Sequence, residues 1–60
     1  MNVEQSLAYQ DGELAYKNGC TIRDNPYDVK TQAASSEAWE KGWISAYNEA
    51  LAIRNSAWRL

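Results

Sequence analysis

Hydrophobic and polar positions follow a helical period in two stretches of this chain, with an aperiodic segment between them. In the first stretch Val3, Leu7 and Leu14 recur at helical spacing. This pattern predicts an α-helix from Val3 to Asn18, and Gly19 is placed to adopt the left-handed conformation that ends many helices. Beside the large apolar residues runs a stripe of small side chains, made of Ala8, Gly12 and Ala15.

The second periodic stretch contains two tryptophans four residues apart, Trp39 and Trp43, which lie one above the other on a helix. Gly42 sits next to them. Glycine inside a helix costs roughly 1 kcal/mol relative to alanine, so its presence indicates that another segment comes close there. This helix is expected to begin between Thr31 and Ser36, and Glu37 and Glu40 in its first turns favour a late start. The predicted second helix runs from about Ser35 to Trp58.

Between the helices lies a segment with turn chemistry, Asp24-Asn25-Pro26-Tyr27-Asp28. Asp and Asn side chains bond to nearby main-chain groups, and Pro26 disfavours the helical conformation for Asn25. This composition predicts an ordered linker, with Tyr27 packed over the joint between the helices.

The predicted fold is therefore all-α, a two-helix hairpin that forms a single domain over residues 1–60. The residues expected to carry the structural core are Gly12, Pro26, Trp39, Gly42 and Trp43. The predicted contact between the helices places Leu7, Ala8, Gly12, Ala15 and Tyr16 against Trp39, Trp43, Ala46, Ala50 and Ile53.

The two predicted helices differ in length, and this difference predicts an interface. At 1.5 Å per residue the first helix reaches about 24 Å, whereas a second helix from Ser36 to Trp58 reaches about 34 Å, so the first cannot cover the second. Apolar residues near the end of the second helix are then left exposed, and such a surface usually marks an interface. Self-association into a homodimer is one expected consequence, and fraying of the C-terminus is the alternative. The candidate interface residues are Leu51, Arg54 and Trp58.

Composition limits the classes of function. The net charge is −2 and the isoelectric point is about 4.8, so no overall basic field attracts nucleic acid or an anionic membrane. Cys20 is the only cysteine, which excludes an internal disulfide and fits a reducing cytoplasm, with a secreted disulfide-linked dimer as the alternative. The chain shows neither a signal peptide nor an apolar run long enough to span a bilayer, and a cytoplasmic location is expected.

The sequence offers little catalytic chemistry. It contains no histidine, and its three glycines are scattered singly instead of forming a phosphate-binding loop. We therefore expect no catalytic residues, no metal and no cofactor. A local basic and aromatic patch around the linker remains a candidate binding site for single-stranded RNA, although Asp24 and Asp28 offset its charge. The candidate binding residues are Lys17, Arg23, Tyr27, Lys30 and Lys41.

Taken together, Gly12, Gly19, the Asn25-Pro26-Tyr27 turn and the Trp39-x-x-Gly42-Trp43 motif resemble the ribosome modulation factor family and its phage and plasmid relatives. The resemblance runs from about Tyr9 to Tyr47. It implies a small two-helix protein that binds the small ribosomal subunit near the 3′ end of its rRNA, and so modulates translation. The family founder is strongly basic, whereas this chain is acidic and has Cys20 where the founder has a basic residue.

Three functions are thus expected in different classes. The first is a non-catalytic regulator that binds the ribosome and its rRNA, as the resemblance implies. The second is a phage-type module that binds a host protein through an exposed aromatic and acidic helical surface. The third, a small modifying enzyme such as the phosphotransferase described among the plasmid relatives, ranks last because the sequence provides no nucleotide site.

Overall fold

The computed structural model describes the main chain of residues 2–58 and the side chains of residues 2–54. It contains helix α1 (Val3–Lys17), a 3₁₀ turn (Ile22–Asp24) and helix α2 (Ala33–Trp58), with no strand in these residues. The predicted all-α, two-helix fold, with a short first helix, an ordered linker and a longer second helix, is confirmed.

Helix α1 has side-chain and main-chain caps at its two ends. At its start the Asn2 side chain accepts a hydrogen bond from the main-chain N–H of Gln5 at 2.8 Å. At its end Gly19 has a φ of 85°, and the N–H groups of Gly19 and Cys20 donate to the carbonyls of Tyr16 and Ala15 at 3.0 and 2.9 Å. These two bonds form the Schellman motif that follows many helices, so the predicted role of Gly19 is confirmed.

Helix α2 begins at Ala33, two residues before the predicted start at Ser35. The turn before it is already closed by main-chain bonds. The Gln32 N–H donates to the Asp28 carbonyl at 2.7 Å, and the Ser36 N–H donates to the Gln32 carbonyl at 2.8 Å. This start lies within the predicted range from Thr31 to Ser36. The preference for a late start is wrong, since the first turn of α2 contains no acidic residue.

The two helices pack side by side and point in the same direction. Gly12, in the middle of α1, lies against Trp39, and Tyr16, one turn later, lies against Trp43 and Tyr47. Positions further along α1 therefore meet positions further along α2. The linker runs back to the start of α1. Near the beginning of the linker, the carbonyl of Cys20 accepts a hydrogen bond from the Trp43 side chain. This length of linker permits the shared direction, because a tight turn would make consecutive helices antiparallel.

The core is small and is built mostly from small side chains. Among the side chains of residues 2–54, Trp39 is the one large buried residue, with 2% of its surface exposed, and it packs with Ala8 and Ala38. Ala46 is buried further along α2. Around this core pack half-buried side chains from both helices and the linker, namely Tyr9, Ala15, Ile22, Tyr27 and Trp43.

The core predicted from the sequence needs three corrections. Leu7 is 55% exposed, because α1 turns its small side chains toward α2 and its leucines away. Ile53 is 65% exposed, because α2 continues past the end of α1 at this point. Pro26 is exposed in the linker, where it acts through its fixed φ and not through burial.

Candidate binding surfaces

Two glycines lie where the main chains of the two helices come into direct contact. A Cβ on Gly12 would overlap with the carbonyl of Trp39, and a Cβ on Gly42 would overlap with the carbonyl of Tyr9. Each helix thus presents a glycine to the main chain of the other. Glycine is needed at both positions because any side chain would force the helices apart.

Trp43 connects α2 to the end of α1 and to the linker. Its indole Nε1 donates a hydrogen bond to the carbonyl of Cys20 at 2.9 Å. Its ring stacks on Tyr47 with 5.6 Å between ring centroids, and meets the edge of Tyr16 at 5.3 Å. Such aromatic pairs contribute about 0.5–1.5 kcal/mol each beyond the area they bury. The three rings form an aromatic cluster that fixes the orientation of this part of α2.

Asn25 attaches the linker to α2. Its amide nitrogen donates to the carbonyl and the hydroxyl of Ser36 at 3.1 and 3.0 Å, and its amide oxygen accepts from the Tyr27 N–H at 3.0 Å. Ser36 is buried, so these bonds satisfy a polar group that water cannot reach freely. The linker is therefore ordered, and Tyr27 is held over the core as the sequence predicts.

The candidate binding residues separate into two groups. Lys17, Arg23 and Lys30 are exposed and follow the linker from the end of α1 toward the start of α2. Lys41 instead lies on α2 and forms an ion pair with Glu37 at 3.1 Å. Tyr27 is half-buried, and its hydroxyl faces the Asp11 carboxylate at 3.5 Å, so little of its ring is free for stacking on a base.

Acidic side chains in the linker have a local structural role. Asp24 accepts hydrogen bonds from the main chain and the hydroxyl of Thr21, at 2.8 and 3.3 Å. Asp28 accepts from the Lys30 N–H at 2.8 Å. Both carboxylates remain exposed, so they lower the positive potential along the linker.

The candidate interface on α2 is exposed where the side chains are described. Leu51 is 38% exposed and Arg54 is also at the surface, whereas the Trp58 side chain lies outside the described residues. Sequence reasoning missed Ile44 and Tyr47, which are 42% and 41% exposed. The signal that points to them is the spacing of three residues from Ile44 to Tyr47 and of four from Tyr47 to Leu51, which places all three on one side of α2.

A second apolar surface lies on α1, and it includes Leu7, which the sequence predicts in the core. Val3, Leu7 and Leu14 are all more than half exposed. They lie within one narrow strip of the helix, on the side opposite Ala8 and Gly12. We call these three residues the α1 strip.

The grooves between the elements are shallow and open. One, with a volume of about 160 Å³, lies where α2 passes the end of α1. It is smaller than the roughly 300–1,000 Å³ typical of small-molecule sites. Its lining residues are Tyr16, Lys17, Ala46, Glu49, Ala50 and Ile53.

No family model, curated protein or solved structure matches this chain. Neither helix, over the residues described, is both long enough and apolar enough to cross a membrane. Within the same residues no three His, Cys, Asp or Glu side chains gather in a group that could hold a metal ion.

Proposed function

We propose that this chain is a small non-catalytic regulatory protein of the ribosome modulation factor type, which binds the small ribosomal subunit and its rRNA. One observation carries the proposal. The residues on which the family resemblance rests work together in the fold, since Gly12 meets the main chain of Trp39, Gly42 meets that of Tyr9, and Trp43 holds the linker through Cys20. A motif whose separate parts contact one another in the structure supports a shared fold better than any one part does.

The surface available for rRNA is the row of exposed cations along the linker, Lys17, Arg23 and Lys30. Phosphate contacts by such residues provide much of the affinity of proteins for nucleic acid, and this affinity falls as salt rises. Because the exposed carboxylates of Asp24 and Asp28 lie beside these cations, the proposed binding is weak and strongly dependent on salt.

Cosedimentation with purified small ribosomal subunits over a series of salt concentrations tests this function. We expect binding that decreases with salt, and each of Lys17→Gln, Arg23→Gln and Lys30→Gln should lower the slope of log K against log salt by roughly one. Lys41→Gln is the matched control, because Lys41 is already paired with Glu37. Absence of cosedimentation at low salt, or equal slopes for all four variants, would contradict the proposal.

The alternative is a module that binds a host protein, and the α1 strip favours it. Val3, Leu7 and Leu14 expose an apolar helix face, and the acidic residues Glu4 and Asp11 border it. Such a face fits an apolar groove with a cationic rim on a partner protein. Affinity capture with and without nuclease separates the two functions, since only a ribosomal partner held through RNA is lost on nuclease treatment. If the chain binds a host protein through the α1 strip, Leu7→Ser and Leu14→Ser abolish capture of that protein, whereas Lys30→Gln does not.

A further inference from the structure

Five exposed residues on α2 follow the spacing of a coiled-coil seam. Glu40, Ile44, Tyr47, Leu51 and Arg54 are separated by four, three, four and three residues, and we call them the α2 row. This alternation of three and four keeps the residues on one side of a helix, and two such helices pack through it. The apolar members Ile44, Tyr47 and Leu51 are 38–42% exposed.

Charges are placed symmetrically about the centre of the α2 row. Glu40 lies seven residues before Tyr47, and Arg54 lies seven residues after it. At 1.5 Å per residue each charge is about 10.5 Å from the centre along the helix axis. A two-fold rotation at Tyr47 therefore brings the acidic end of one row onto the basic end of the other.

We propose that a second copy of this chain packs on the α2 row with its helix antiparallel. Tyr47 meets its counterpart at the two-fold axis, Ile44 of one copy packs against Leu51 of the other, and Glu40 faces Arg54 at both ends. The arrangement is isologous, as most soluble homodimer contacts are, because the same surface serves both copies.

Two features of the monomer support a second copy as the occupant. Within the part of the chain whose side chains are described, the core contains a single large buried side chain, and chains this short gain stability when association adds buried apolar area. In addition, the Tyr47 ring is already held by Trp43 and Tyr16, with centroids 5.6 and 5.9 Å away. A ring held in place loses little conformational freedom when a partner covers it.

The α1 strip lacks the symmetric charges that support a dimer through the α2 row. Its residues Val3, Leu7 and Leu14 are exposed, but no pair of opposite charges lies at equal distances from its centre. The self-complementary charges thus single out the α2 row.

Sedimentation equilibrium of the full chain at low salt, up to about 1 mM, tests the proposal. We expect a monomer–dimer equilibrium. Glu40→Arg or Arg54→Glu alone should weaken the dimer about tenfold, since each replaces two attractive pairs with two repulsive ones. The double variant Glu40→Arg/Arg54→Glu should restore the parent value, and Glu49→Arg, which makes the same charge change off the row, should leave it unchanged.

The variants are suited to the test because all three charged positions are exposed, and circular dichroism checks that each remains helical. In addition, Leu51→Asn should abolish the dimer. A chain that stays monomeric at every concentration, or single reversals that dimerise like the parent, would overturn the proposal. A parallel dimer is also distinguished, because there neither single reversal changes the sign of any pair.

Discussion

Gly42 of α2 packs directly against the carbonyl of Tyr9 on α1, and a Cβ on Gly42 would come within 2.8 Å of the Tyr9 carbonyl carbon. The group in the way is main chain, so a rotamer change cannot relieve the overlap. This contact, together with the reciprocal one at Gly12, sets how closely the helices approach.

The first prediction concerns this approach. Gly42→Ala should lower the free energy of unfolding by about 2 kcal/mol, because overpacking costs up to ~3 kcal/mol and the better helix propensity of alanine returns ~1 kcal/mol. Urea unfolding followed by circular dichroism measures the change. A Gly42→Ala variant as stable as the parent would show that the helices are further apart than described.

The second prediction separates steric overlap from main-chain conformation. A Cβ on Gly19 meets nothing within 4 Å, but its φ of 85° lies in the left-handed region. Gly19→Ala should therefore cost about 1–2 kcal/mol through conformation alone. Gly19→Asn should cost less, because asparagine tolerates this conformation better. Equal stability of the two variants in thermal unfolding would argue against the left-handed turn.

The third prediction concerns Trp43, whose indole N–H bonds to the Cys20 carbonyl at 2.9 Å. Trp43→Phe keeps a ring beside Tyr16 and Tyr47 but removes the donor, and should cost about 1–3 kcal/mol. Trp43→Ala also removes the aromatic packing and should cost about 3–5 kcal/mol, close to the whole stability of so small a domain. Circular dichroism melts of both variants at equal concentration give the comparison. If Trp43→Ala melts like the parent, the packing assigned to this ring is wrong.

The fourth prediction tests the attachment of the linker. Asn25→Ala removes two bonds to Ser36 and one to the Tyr27 N–H, and should lower the free energy of unfolding by about 2–3 kcal/mol. Ser36→Ala should cost less, because the Asn25 amide can still donate to the Ser36 carbonyl.

A double-mutant cycle on these two positions gives the coupling directly. The bond from the Asn25 amide to the Ser36 hydroxyl is lost in both single variants but is lost only once in the double variant. The two single losses in the free energy of unfolding should therefore sum to more than the loss in the double variant. Additive losses would indicate that Asn25 and Ser36 do not interact in solution.

The local features of this protein could be read from its sequence. The period of the apolar residues predicts α1 and α2, the Asn18-Gly19 pair predicts the end of α1, and the turn chemistry at Pro26 predicts an ordered linker. These features depend on residues a few positions apart, where propensity and capping act. The unequal helix lengths likewise predicted the exposure of Leu51 near the end of α2.

The faces that meet were decided by the tertiary structure. Val3, Leu7 and Leu14 follow a helical period as a buried face would, yet they are exposed, because Ala8 and Gly12 let α2 approach more closely than leucines would. A hydrophobic pattern shows that a face is apolar but not which of two apolar faces another helix will cover.

The sequence by itself thus determined the two helices, the end of α1 at Gly19 and the ordered linker, since each follows from chemistry local to one stretch of chain. The common direction of α1 and α2, the bond from Trp43 to Cys20 and the bonds from Asn25 to Ser36 required the folded chain. These join residues 11 and 23 positions apart, and only the path of the linker through space decides which distant groups become neighbours.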